Sequence, residues 1–233
     1  MAQEYAWIQF TPVPRRASPP AGEEANAVIR ICTDLAPLDL LSSYPAGATY
    51  GGKPVRGSNG NVSHRIRCGD SAGDMYHIVM TATQLESKAR LSPADLALVR
   101  QWNTTSGEVT YDGLRAPTSE FWLHEGLYSS LREVGCIAHV HPPIGDLYPP
   151  LAQRRWRDLK IVETGEFVPD GTQEVPKSVL NILRNALEDY VVLTGHGTPW
   201  DPGHIGAVVM DNDPERLVAR VRHAHGELRK AIG

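Results

Sequence analysis

Two hydrophobic periodicities alternate along the chain, and the points where one gives way to the other predict its elements. A mixed apolar pattern from residue 24 to about 41 predicts a helix. The stretch that follows, SSYPAGATYGGKPVRGSNG (42–60), holds too much glycine, proline and serine for regular structure. Loops of this length are uncommon in compact domains and tend to be functional, so it is a place for a substrate site. NVSHRI (61–66) alternates as a strand, MYHIVMTAT (75–83) reads as a more buried one, and the two are expected to pair as a hairpin. Ser92-Pro93-Ala94-Asp95 sets a cap, a first-turn proline and an acid in order, which predicts a short helix to about 102. A strand around GEVTYDG (107–113) follows. Thr118 or Ser119 can cap a helix from 120 to about 133, after which CIAHVH (136–141) is a short strand stopped by Pro142-Pro143. Residues 144–175 are loop-rich, a helix spans roughly 176–187, and YVVLT (190–194) is a continuous apolar strand running into GHG. A last helix starts at Asp213-Pro214-Glu215 and ends near 233.

Pro12, Pro14, Pro19 and Pro20 sit among small and charged residues, so residues 1–23 read as an irregular arm, free to pack on a neighbouring subunit. Residues 24–233 are then the domain proper. Short strands mixed with helices, without internal repeats, argue for a layered α/β or α+β domain.

Composition narrows the class. A chain of 233 residues that is 41% hydrophobic can bury a core of its own as one domain. Its formal net charge of −4, with both signs interspersed, lacks the basic footprint of a nucleic-acid binder and favours small-molecule chemistry. The segment MAQEYAWIQFTPVPRR has neither the basic start nor the apolar run of a signal peptide. No stretch reaches membrane-spanning length, so a cytoplasmic protein is expected. Cys32, Cys68 and Cys136 are odd in number and widely spaced, which fits reduced, packed residues, with a reactive thiol at Cys136 as the alternative.

The candidate chemistry lies in the histidines. With nine of them, a bare His-x-His pair is weak, and this chain has two. His223 and His225 fall in the last helix, where positions two apart point to nearly opposite sides; they read as surface residues. His139 and His141 fall in a strand, where side chains two apart share a face and two imidazoles can meet one metal. Two core histidines satisfied by hydrogen bonds would leave the same pattern. A catalytic zinc site usually takes three protein ligands. His196, between Gly195 and Gly197 after a buried strand, is the best third, with a turn histidine as the alternative. His64, His77, His124 and His204 have no clear partners. His124, four residues from Glu120 on one helix face, suits a fourth ligand, a hydrogen-bonding partner or a structural residue. Glu120, at a helix start, is either a base kept ionised by the helix dipole or a plain first-turn acid.

GSNGNVSHR (57–65), TSE (118–120), HVHPP (139–143) and GHG (195–197), in this order and spacing, resemble the class II aldolase and adducin head family over roughly residues 24–230. The resemblance implies a three-layer α/β/α fold with a largely antiparallel central sheet, and a homotetramer with active sites between subunits. It makes His139, His141 and His196 zinc ligands and Glu120 the acid/base group. Gly60, Asn61, Thr83, Gln84, Thr118 and Ser119 match the positions that hold phosphate in the phosphate-binding members, and their amides and hydroxyls suit an anion. Gln84 replaces the glycine of a Thr-Gly turn and no basic residue replaces it, so the group bound there is a phosphate, a carboxylate or an uncharged polar group. The tyrosine that donates a proton in fuculose phosphate aldolases is not at its spacing after HVH, where 160–163 lie; Tyr148 and Glu163 are the substitutes to consider.

The resemblance therefore implies a zinc-dependent, aldolase-like lyase of carbohydrate metabolism. It would cleave or form a carbon–carbon bond of a hydroxy-carbonyl substrate, a sugar or sugar-phosphate-like compound, through a metal-stabilised enediolate. The same scaffold also serves 3-oxo acid decarboxylation, sugar-phosphate dehydration and 4-epimerisation. Fe2+, Mn2+ or Co2+ could replace Zn2+, with oxidative chemistry as the consequence of iron. Adducin heads share the fold without the metal site, but the three histidines and Glu120 argue against a bare scaffold here.

Overall fold

The computed structural model describes residues 8–50, 53–54, 56–68, 75–143, 160–165, 168–193, 196 and 205–232. In chain order the elements are β1 (Thr11–Arg16), α1 (Glu23–Leu35), the short strands β2 (Thr49–Tyr50) and β3 (Lys53–Pro54), β4 (Asn61–Arg67), β5 (Tyr76–Thr81), β6 (Leu96–Trp102), β7 (Glu108–Gly113), α2 (Phe121–Ser130), β8 (Cys136–Val140), β9 (Ile161–Glu163), α3 (Glu174–Ile182), β10 (Tyr190–Leu193), β11 (Gly206–Asp211) and α4 (Pro214–Ile232). Nine strands form one sheet in the order β1-β7-β6-β5-β4-β8-β11-β10-β9. The sheet is mixed: β1 with β7 and β9 with β10 run parallel at its two ends, and the pairings between are antiparallel.

Alternation along the strands sends apolar side chains to both faces. Val79, Leu96, Leu98, Ala138 and Val209 meet one cluster, which is closed by Val28, Ile31 and Leu35 of α1 and Leu217, Val221 and Leu228 of α4. Ile78, Met80, Ala97, Val99, Ile137 and Val208 meet the other, closed by Phe121, Leu127 and Tyr128 of α2 and Val175 and Val179 of α3.

Double burial overrides a strong local signal at 92–102. Ser92 and Asp95 form the capping box, and Pro93–Asp95 makes one 3-10 turn. LALVRQW then continues as β6 instead of the expected helix, because the run Leu96–Val99 is buried on both faces of the sheet, which a strand allows and an amphipathic helix does not. The 61–66 and 75–83 segments pair as the expected hairpin, with Ser63 opposite Met80. α2 ends at Ser130 and α3 at Ile182, both short of their expected ends. After α3 the Asp189 carboxylate accepts the amides of Arg184 (2.6 Å) and Asn185 (2.8 Å), capping a turn where helix was expected. β9 adds a strand inside the loop-rich segment.

Residues 11–16, expected within an irregular arm, form edge strand β1. The Thr11 amide donates to the Gly107 carbonyl (2.8 Å), so alternate positions turn their backbone nitrogens outward. Those positions are Pro12 and Pro14, whose missing N–H costs nothing at an edge. β1 is pinned by Asp112 of β7, which accepts from Arg15 Nε (2.9 Å) and Nη2 (2.7 Å) and from Arg100 Nε of β6 (2.9 Å). In α4, which packs along α1, His223 is exposed as expected, but His225 is only 3% exposed. All three cysteines are free, and burial pushes the Cys136 thiol far up, so it is not a nucleophile.

Hydrogen bonding to Arg15 first, and then to Arg100, pulls the Asp112 carboxyl down to about 2 against its burial. A depressed carboxyl contributes stability that is present above the ordinary aspartate value of 3.8 and is lost as pH falls through about 2. Asp112→Asn is therefore expected to cost about 1–2 kcal/mol near pH 7, allowing for the exposure of both arginines. The deficit should close between pH 4 and pH 2 in urea denaturation followed at a series of pH values.

Candidate metal centre and active-site cavity

His139 is in the middle of the sheet on β8, and His141 follows just past its end, its amide bonded to the Leu40 carbonyl (2.9 Å). His196 comes three residues after β10, its amide on the Leu193 carbonyl (3.2 Å). Glu120 is the residue that starts α2. These separate elements bring four side chains together. His139 Nε2 is 2.9 Å from His141 Nε2, 3.0 Å from His196 Nε2 and 3.0 Å from Glu120 Oε2, and Glu120 Oε1 is 3.1 Å from His196 Nε2.

The outer ring nitrogens set the tautomers. His139 Nδ1–H donates to the Ala207 carbonyl (3.0 Å), which leaves its Nε2 with a lone pair. His196 Nδ1 is 2.7 Å from Asp170 Oδ1, so the same inward direction of the lone pair holds once Nε2 is bare. A carboxylate or carbonyl on the far nitrogen is the usual support of a metal-bound histidine. Tetrahedral zinc at about 2.0–2.1 Å from each nitrogen needs them about 3.3 Å apart, a few tenths of an ångström wider than the separations here. The donor set fits a divalent transition metal. Burial pushes the His139 ring below its ordinary value, against the pull of Glu120. Burial alone would push His196 down, but Glu120 and Asp170 overcome it and raise the ring to about 10. Burial would raise Glu120, yet the His139 and His196 rings and the Asn61 amide outweigh it and hold the carboxyl well below its ordinary range.

Two glycines allow the close approach. Gly60 has φ +66, and a Cβ there would lie 2.5 Å from the His139 carbonyl oxygen. A Cβ on Gly206 would lie 2.2 Å from His196 Cδ2.

Glu120, His141 and His196 open onto a cavity that is also lined by all six residues expected to bind an anion, Gly60, Asn61, Thr83, Gln84, Thr118 and Ser119. Its walls are tied by backbone bonds: Thr118 N to Thr81 O (3.1 Å), Thr83 N to Ala116 O (2.9 Å), Tyr44 N to Gly57 O (2.8 Å) and Asn59 N to Ser42 O (2.8 Å). The long loop at 42–60 is thus one side of the cavity. Gln84 has φ 56, so the chain keeps a glycine-like backbone where the family has glycine. The side chain of Asn61 is turned to Glu120, its Nδ2 donating to Oε2 at 2.9 Å. His124 bonds Asn61 and Ser63 and so takes the second of its three readings.

Sequence reasoning missed several residues here. Lys88 is buried and donates to Ser58 O (2.8 Å), Ser58 Oγ (2.7 Å) and Asn59 O (3.2 Å), placing a cation beneath the loop; Arg56 also lines the cavity, so basic groups are present after all. Asp170 and Tyr44 line it too. No local signal marks any of them. Glu163 sits exposed on β9 and does not line the cavity among the described residues. Tyr148 and His204 lie outside the described residues, and His64 and His77 do not join the cluster.

Residues 49–199 match the Class II Aldolase and Adducin N-terminal domain. A methylthioribulose-1-phosphate dehydratase of Stenotrophomonas maltophilia (strain R551-3) is 26% identical over 185 residues, covering 71% of this chain and 78% of that protein. Two solved structures share the fold. L-fuculose 1-phosphate aldolase aligns with a TM-score of 0.57 at 16% identity, covering 92% of this chain and 90% of that one. The N-terminal class II aldolase domain of a Thermoplasma acidophilum protein aligns with a TM-score of 0.60 at 12% identity, covering 94% and 98%. With nearly two thirds of its length matched, the chain belongs to the class II aldolase and adducin N-terminal domain family.

Proposed function

We propose that the chain is a metal-dependent lyase acting on a hydroxy-carbonyl compound, with His139, His141 and His196 as ligands of a divalent ion, zinc before iron, manganese or cobalt, and Glu120 as the proton carrier. The observation that carries this reading is the buried Glu120 carboxyl group, 3.0 and 3.1 Å from two of three converging imidazole nitrogens and lining the cavity. When bound, the ion supplies positive charge for an oxygen that becomes anionic as a bond next to the carbonyl breaks, and neutral imidazoles leave that charge undiminished.

Glu120 is suited to take or return a proton at the carbon beside the carbonyl. Asn61 holds one of its oxygens by a charge-assisted bond and so fixes the plane of the carboxylate. Thr83, Gln84, Thr118, Ser119 and the Gly60 backbone form the wall for the anionic or polar end of the substrate, and the Lys88 cation beneath favours an anion there. Carbon–carbon cleavage of the aldol type is the leading reaction. Dehydration is the second reading, favoured by the relatives named as dehydratases.

The same reading takes residues 24–233 as the catalytic domain, in the three-layer arrangement supported by the two helix-covered faces of the sheet, and the working form as a cytoplasmic homotetramer. No described helix is long and apolar enough to cross a membrane.

Proton NMR of zinc-loaded protein with ketose phosphates, free ketoses and 3-oxo acids tests the reaction. Two carbonyl fragments are expected, with kcat in Glu120→Gln lower by about 10²–10⁴-fold. Loss of water instead would establish the dehydratase reading, and no turnover at all would sink both. Gly206→Ala, whose new methyl must displace the His196 ring, is expected to weaken Zn2+ binding about tenfold or more in a chelator competition. Unchanged affinity would remove His196 from the ligand set.

A further inference from the structure

We infer that His124 is the positioning residue for Glu120: its ring, protonated on Nε2, locks the Asn61 amide with its NH2 group aimed at the carboxylate. The inference rests on the reading of Glu120 as the proton carrier.

The hydrogen-bond roles leave one solution. An ionised carboxylate only accepts, so the Asn61 atom 2.9 Å from Glu120 Oε2 is the NH2 nitrogen. The amide oxygen then faces His124 Nε2, which must carry a hydrogen to donate to it. Nδ1 of a neutral ring is therefore bare and accepts from Ser63 Oγ–H at 2.7 Å. The Ser63 oxygen in turn accepts from the Tyr128 hydroxyl at 2.9 Å. Every donor in the series Tyr128, Ser63, His124, Asn61 points toward Glu120, an alignment in which each bond polarises the next.

The register between strand and helix makes this series possible. Asn61, Ser63 and Arg65 lie two apart on one face of β4, a repeat of about 6.7 Å. Glu120, His124 and Tyr128 lie four apart along one face of α2 and its first turn, a repeat of about 6.0 Å. The two repeats match closely enough for strand and helix to interlock through polar pairs. Arg65 closes the far end, its guanidinium 4.7 Å from the centre of the Tyr128 ring and donating to the Leu131 carbonyl at 2.8 Å.

The reading of His124 as a fourth metal ligand is excluded by the same bonds, since both ring nitrogens are engaged. A role as proton donor is also excluded: the ring is fully buried and burial pushes its pKa down to about 3, so no imidazolium is present to give up a proton. What remains is orientation. Without His124 the Asn61 amide is free to flip and present its oxygen to the carboxylate.

Two-bond 1H–15N NMR of the histidine rings in the full-length protein, without substrate, is expected to show His124 protonated on Nε2 and bare on Nδ1 from pH 6 to pH 8. A ring protonated on Nδ1, or on both nitrogens, would overturn the inference. In zinc-loaded protein, His124→Leu is expected to lower kcat by about 10–100-fold, with KM within about twofold and zinc content unchanged. His124→Gln, which keeps a donor for the Asn61 oxygen, should recover most of the loss and guard against a folding defect in the leucine variant. Unchanged kcat in His124→Leu, or a loss of zinc in step with activity, would overturn the inference, the latter by making His124 a support of the ligands. If the wild type turns over no substrate, the lyase reading fails by itself. The Asn61 side-chain amide signals then decide the present point: they are expected to move in both His124→Leu and Glu120→Gln, and signals unmoved in His124→Leu would overturn it.

Discussion

Glu120 is a charged carboxylate in a place that water barely reaches, and much of the molecule is arranged around that fact. Taking such a group out of water costs several kcal/mol unless donors replace the lost solvent. Two donors do so, the Asn61 amide from the strand beside it and the His196 ring from the loop after β10, and the start of α2 adds a helix dipole that favours negative charge. Each donor has its own support. This is why the face that β4 turns to α2 is a stripe of polar residues while Val62 on its other face joins the core, and why Asp170, from the segment before α3, reaches over to the far side of His196.

Close backbone packing is the second half of the arrangement. Imidazoles on β8 and after β10 converge only because the chain on either side of them lacks side chains at Gly60 and Gly206. The loop at 42–60 could not reach the cavity otherwise. It is held in place by its own backbone bonds and by Lys88, a buried cation whose three hydrogen bonds all go to that loop. The positive charge beneath the loop and the positive end of α2 lie at the same cavity.

Much of this was legible in the sequence where the signal was local and repeated. The β4–β5 hairpin, the starts of α1 and α2, β8 and α4 all follow from periodicity and caps, and the four motifs bring together the residues that line the cavity. The failures have physical causes. A capping box tells a helix start from its first turn only, and at 92–95 the apolar run behind it belonged to a doubly buried strand. Prolines at alternate positions read as irregular chain, although alternation is the spacing an edge strand tolerates. His124 was visible as a neighbour of Glu120 on the helix, but its partners Asn61 and Ser63 are about sixty residues away, beyond any local pattern. Asp170 and Lys88 are of the same kind: their roles exist only once distant segments meet.

The proline pair in β1 has a consequence for how the molecule meets others of its kind. An open sheet edge usually offers a row of amide hydrogens to any extended chain that passes. Here the outward nitrogens at positions 12 and 14 carry none, and Arg15 adds charge to the same rim. Among the described residues this edge cannot template a further strand, so growth of the sheet from molecule to molecule, the first step of fibrous aggregation, is blocked on that side. Subunits that associate along this edge must do so through side-chain surfaces.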